Sequence, residues 1–150
     1  MALSWNAQSI VGTNQVDFTG LTADAVELKF QGVSCSAAAS ATLYFTTDGT
    51  TWVGPVSLPG SIGNGNNHVV QDSWASFTNL TQGLLSGIAC PFMDHDSRNP
   101  TPAQDSGSST TLTHALIQYN AGTPSSALPI TGVRVHLSSN GSAGVVALGS

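Results

Sequence analysis

Charge is what this sequence has least of. Three basic and eight acidic side chains serve 150 residues, 7% of the chain, against roughly 25% in an ordinary soluble domain. The only basic residues are Lys29, Arg98 and Arg134, and the formal net charge is −5. Holding a phosphate backbone takes several Lys or Arg on one face, so nucleic acid is excluded as a partner. Long apolar runs are missing too: none approaches the about 20 residues of a helical membrane span. The opening Met1-Ala2-Leu3-Ser4-Trp5 lacks the basic region and apolar stretch of a secretion signal. A soluble protein made in a cytoplasm, without membrane insertion, is the expectation.

Cysteine is almost absent. Cys35 and Cys90 form neither a CxxC pair nor a Cys/His ligand set, and two small buried thiols in strands is the plainer reading. A disulfide between them is the alternative, unusual in a reducing cytoplasm. Motifs of catalysis and cofactor binding are lacking as well. There is no GxSxG elbow, no Walker-type loop and no dinucleotide fingerprint. Gly63-Asn64-Gly65 is a turn and not a phosphate cradle, because no Lys-Ser/Thr and no helix follow it. Neither an enzyme nor a bound cofactor is expected.

What the sequence does hold is alternation. Over residues 26–31, Val26, Leu28 and Phe30 alternate with Glu27, Lys29 and Gln31, the period-two pattern of a strand with one dry face. Residues 42–46 repeat it, lead into the turn pair Asp48-Gly49 and come out at Trp52, so residues 26–52 read as a hairpin. Leu28, Phe30, Leu43, Phe45 and Trp52 are its expected core. Ahead of it, residues 5–10 and 15–18 read as antiparallel neighbours joined through Gly12-Thr13-Asn14. Beyond it, residues 68–70 and 73–77 have strand character. Residues 80–90 carry Gly83 and Gly87, each costing a helix about 1 kcal/mol, which favours strand or irregular structure. Residues 112–119 read as a strand by their flanks. Val133, Val135 and Leu137 share one face with Arg134 and His136 on the other, and Ser138-Ser139-Asn140-Gly141 turns that strand into a buried final one at 144–148. Eight to ten short strands with no convincing helix predict one all-β domain over residues 1–150, an antiparallel two-sheet sandwich of jelly-roll type.

Two groups of residues are candidates for contact. Residues 91–110 form a Pro- and Asp-rich stretch containing Asp94, His95, Asp96 and Arg98, and loops beyond about 12–15 residues tend to be functional or mobile. The Asp94/Asp96 spacing can place oxygens around a cation, yet no EF-hand pattern or following Glu supports it, so a partner-facing loop is preferred and no metal is expected. The second group is aromatic: Trp5, Trp52, Trp74, Tyr44 and Tyr119. Core packing is the preferred reading for each Trp, with Trp52, just after the Asp48-Gly49 turn, the best candidate for partial exposure and Trp52 and Trp74 the residues a binding surface would use. Exposed rings are how sandwich modules stack on sugars.

A family likeness rests on particular stretches: Trp5, Val16-Asp17-Phe18-Thr19-Gly20-Leu21, Glu27-Leu28-Lys29-Phe30-Gln31-Gly32-Val33, and Ala41 through Trp52 with its Thr47-Asp48-Gly49-Thr50 turn. Together with residues 130–141 and 144–149 at the other end, these resemble small β-sandwich structural proteins of tailed bacteriophages, both head decoration or fibre proteins and tail-fibre modules. Residues 53–129 carry no such likeness. The resemblance implies a virion component without catalytic residues, homo-oligomeric as a dimer or trimer, whose partners are capsid or tail proteins. Because the sandwich begins almost at Met1, a capsid decoration, cement or head-fibre protein is favoured. The rival is a receptor-binding module for host-surface glycan using Trp52, Trp74 and the 91–110 loop. A metal-dependent hydrolase built on Asp94, His95 and Asp96 is the weakest alternative.

Overall fold

The computed structural model describes residues 3–63, 70–94, 115–120 and 128–150, with the backbone alone described for Asp94 and for 115–120. Eleven strands run through these residues: β1 (Trp5–Ser9), β2 (Gln15–Phe18), β3 (Val26–Cys35), β4 (Ala41–Thr46), β5 (Val53–Ser57), β6 (Gln71–Thr78), β7 (Leu84–Ala89), β8 (Met93–Asp94), β9 (Ala115–Asn120), β10 (Gly132–Leu137) and β11 (Gly141–Gly149). One turn of 3₁₀ helix, Leu80–Gln82, sits between β6 and β7.

They form two sheets with antiparallel neighbours. The larger has the order β1-β11-β3-β6-β7-β9, with β8 also paired to β6, and the smaller has the order β2-β10-β4-β5. Without β7, β8 and β9, each sheet has four strands, and early and late strands lie side by side. That nesting is the jelly roll. The extra three strands extend the larger sheet.

Alternation decides which faces meet. In β10, Val133, Val135 and Leu137 are buried while Arg134 and His136 face out. In β6, Gln71, Ser73, Ala75 and Phe77 point inward and Asp72, Trp74, Ser76 and Thr78 outward. The inner rows meet in one hydrophobic cluster that includes Phe18, Leu28, Phe30, Leu43, Phe45 and Phe77. Phe45 of the smaller sheet meets Phe77 of the larger edge to face, with ring centroids 6.4 Å apart. Burying a side chain of this kind contributes about 1.5–3 kcal/mol.

Three expected pairings are corrected. β1 and β2 are not neighbours: β1 pairs with β11 and β2 with β10. The chain turns a corner at Ile10–Asn14, where the Gly12 amide donates to the Gly141 carbonyl at 2.9 Å and Ile10 is buried. Residues 26–31 and 42–46 do not pair either, because β3 lies in the larger sheet and β4 in the smaller. The Asp48-Gly49 turn instead joins β4 to β5, with Phe45 opposite Val53. Likewise β10 and β11 lie in different sheets. Two of the sheet-changing connections, residues 36–40 and 138–140, run side by side, with Ser36 N donating to Asn140 O at 2.9 Å and Ser138 N to Ser40 O at 3.0 Å. Each connection carries an apolar strand across so that its dry face meets the other sheet, which a flat hairpin would not achieve.

Both cysteines are free and buried. Burial pushes the Cys35 thiol up to about 11 and shifts Cys90 the same way.

Candidate functional site

The outer face of the larger sheet carries an aromatic surface. Trp5, Trp74 and Ile88 are exposed there at 42%, 39% and 43%, where a core residue of such size would be near zero. Register brings them together. Trp74 stands opposite Lys29 and Ile88 opposite Ser76. Trp5 is opposite Gly149, and a Cβ on that glycine would stand 2.9 Å from the indole. Its missing side chain therefore lets the ring lie flat across β11. The Lys29 ammonium caps the Trp5 ring at 4.6 Å from the centroid, an arrangement worth about 0.5–1 kcal/mol at an exposed site.

Beside Trp74 the sheet is interrupted. β7 and β8 follow one another along the same edge of β6, and between them Cys90, Pro91 and Phe92 leave the strand path. Phe92 turns into the core and meets Phe30 edge to face at 4.9 Å. The Ser73 hydroxyl donates to the Cys90 carbonyl at 2.6 Å and the Cys90 amide to the Trp74 carbonyl at 2.9 Å, so the break is held in one shape. The break leaves a depression of about 300 Å³ bordered by Lys29, Gln31, Asp72, Trp74, Pro91 and Met93. A bulge in β3 aims the other rim: Gly32 has φ 59°, and its amide donates to Asp72 Oδ1 at 2.6 Å. On the far side of Trp74 a second depression of about 460 Å³ is bordered by Ser76, Thr78, Ser86, Gly87 and Ile88. Trp74 is thus a ridge between two hollows.

The outer face of the smaller sheet is tied up internally. Arg134 makes a two-pronged bond to Asp17, Nε to Oδ1 at 2.8 Å and Nη2 to Oδ2 at 3.0 Å, and the Trp52 ring covers the guanidinium at 4.2 Å. Trp52 is half-buried, a cover on the sheet and not the core residue its spacing predicts. Its approach is set by the turn: Asp48 Oδ1 accepts from Thr50 N at 2.8 Å and Thr51 N at 2.7 Å. These amides hold the Asp48 carboxyl far below the usual range. His136 faces outward as expected, its ring 6.4 Å from Tyr44.

The edges differ from one another. β5 carries Pro55 and β2 is only four residues long, both common guards against pairing with another chain. β1, Trp-Asn-Ala-Gln-Ser, has no charge and no proline, and four of its five residues are exposed. Ser4 and Ser150 exchange both backbone bonds at 3.0 and 3.1 Å, so by alternation Trp5, Ala7 and Ser9 aim their N–H and C=O groups away from the sheet. Gln8 Nε2 donates to the Asp17 carbonyl at 2.8 Å, pinning this edge against the smaller sheet.

Of the residues singled out in the sequence, Trp74 falls in the aromatic surface and Trp52 on the opposite face. Asp94 ends β8 next to the first depression, while His95, Asp96 and Arg98 lie outside the described residues. Among the described residues no three His, Cys, Asp or Glu gather as metal ligands. Lys29, Gln31 and Asp72 were missed because their grouping depends on the β3 bulge and the break at 90–92; Gly32 following an alternating run was the one local signal. No family model matches the chain, and no curated protein matches it in sequence.

Proposed function

We propose that this chain is a non-enzymatic structural protein of a bacteriophage particle, a capsid decoration or head-fibre component that docks on the particle lattice. The single observation that carries docking is the β1 edge: five uncharged residues with outward-aimed backbone groups, held rigid by Gln8, on a molecule whose β2 and β5 edges are short or proline-guarded. Such an edge accepts a strand from a neighbouring protein, with main-chain hydrogen bonds supplying affinity. The phage assignment rests on the likeness of the strand and turn signatures at both ends of the chain. Jelly rolls serve in viral capsid and in lectin domains, which agrees with that assignment by analogy only. The same edge offers itself to a second copy, and a homo-oligomer follows from that reading.

The test is sedimentation of the purified protein with particles of the phage that encodes it, stripped of this component. Saturable rebinding, lost when Ala7 is replaced by Lys in the middle of the β1 edge, is the expected result. Failure to bind any capsid or tail assembly, or turnover of a small molecule by the pure protein, overturns it.

A further inference from the structure

We propose that the Trp74 ridge is a carbohydrate site, taking a neutral oligosaccharide with one pyranose ring against the exposed indole. This goes beyond docking on a particle, because it uses the sheet face and not the β1 edge. The ligand class follows from what the ridge offers. A partner must present a flat apolar face to Trp74 and, around its perimeter, both donors and acceptors to Lys29, Gln31 and Asp72. A pyranose ring does so: its C–H face is apolar and its equatorial hydroxyls both donate and accept.

Preorganisation is the second argument. The backbone at Trp74 is held by the Cys90 amide at 2.9 Å, Asp72 by the Gly32 amide, and Lys29 by its place over the Trp5 ring. A weak ligand is bound only when little ordering remains to be done. The size also fits: about 300 Å³ lies at the lower end of ligand clefts, room for one ring. The second hollow, with Ser76, Thr78 and Ser86 at its border, takes the neighbouring ring, so the chain of sugars crosses the sheet over Trp74.

The experiment uses cellohexaose, maltohexaose and chitohexaose as probes, each titrated against the full chain with tryptophan fluorescence and saturation-transfer NMR as readouts. At least one hexamer is expected to bind, with sugar-ring protons receiving saturation. Trp74→Ala should weaken that binding at least about tenfold, the loss of one aromatic contact, while Trp74→Phe keeps part of it. Trp52→Ala, on the opposite face, should leave it unchanged. Thermal melting confirms that each variant is folded. Three outcomes overturn the proposal: no hexamer binding, binding that survives Trp74→Ala, or equal loss in Trp52→Ala. If rebinding to particles persists while all sugars fail, the docking reading stands and the carbohydrate site falls.

Discussion

Replacing Gly144 with alanine tests the bulge that shapes the Trp74 cleft. Two residues of β3, Gly32 and Val33, face the single residue Gly144 of β11, and a second register shift lies between Gly141 and Ala143. Gly144 has φ +107°, and a Cβ there would lie 2.6 Å from Val33 Cα and 2.8 Å from the Gly32 carbonyl oxygen. Both obstacles are backbone, so no side chain can swing aside. The conformational part costs about 1–3 kcal/mol and the overpacking about 1–3 kcal/mol more. The sum, about 2–6 kcal/mol, is a large share of the about 5–15 kcal/mol that holds a domain together. Urea unfolding of wild type and Gly144→Ala measures it, with a drop in melting temperature of about 5–20 °C in parallel. Gly12→Ala is the control, since φ there is +78° but nothing lies within 4 Å of the added carbon; it should show the conformational part alone. Equal losses at the two glycines, or a Gly144→Ala protein as stable as wild type, would refute the reasoning.

Other expectations concern the opposite face and the core. The folded Asp48 carboxyl is depressed by the Thr51 and Thr50 amides, so its contribution is complete above about pH 4, the unfolded value, and is lost as pH falls further; Asp48→Asn should flatten the decline in urea midpoint below pH 4. A double-mutant cycle on Asp17 and Arg134, side chains 33% and 25% exposed, should give a coupling of about 0.5–1 kcal/mol, as solvent screening dictates, and less in high salt. Cys35, its thiol pushed up to about 11 by burial, should resist a thiol reagent at pH 8 until the protein unfolds.

Face assignment was legible because period-two alternation is local. Val133 and Leu137 inside with Arg134 and His136 outside, or Leu28 and Phe30 against Lys29, could be read residue by residue. Partnering was not. The short connections at 11–14, 36–40 and 138–140 carry the Gly and Ser signals of hairpins, yet each changes sheets. Only contacts distant in the chain, such as Ser36 with Asn140, decide between the two geometries. The candidate site shows the same division. Trp74 was expected in the core, as a large aromatic in a strand usually is; its place on the outer face of β6 follows from Gln71, Ser73, Ala75 and Phe77 taking the inner row. The hollow beside it depends on Phe92 leaving the strand path to meet Phe30, which no spacing rule anticipates. Trp52 was read both as a core residue and as the best candidate for partial exposure; the second reading fits its half-buried ring, whose place is set by Asp48 gripping the turn and by Arg134 beneath it.

Hydrogen–deuterium exchange of the free and particle-bound protein, read at single residues, probes the docking edge most directly. Slowed exchange at the Trp5, Ala7 and Ser9 amides on binding, with Asn6 and Gln8 already slow in the free protein, is the predicted result. Bound protein whose three outward amides exchange as fast as before would contradict strand addition at β1.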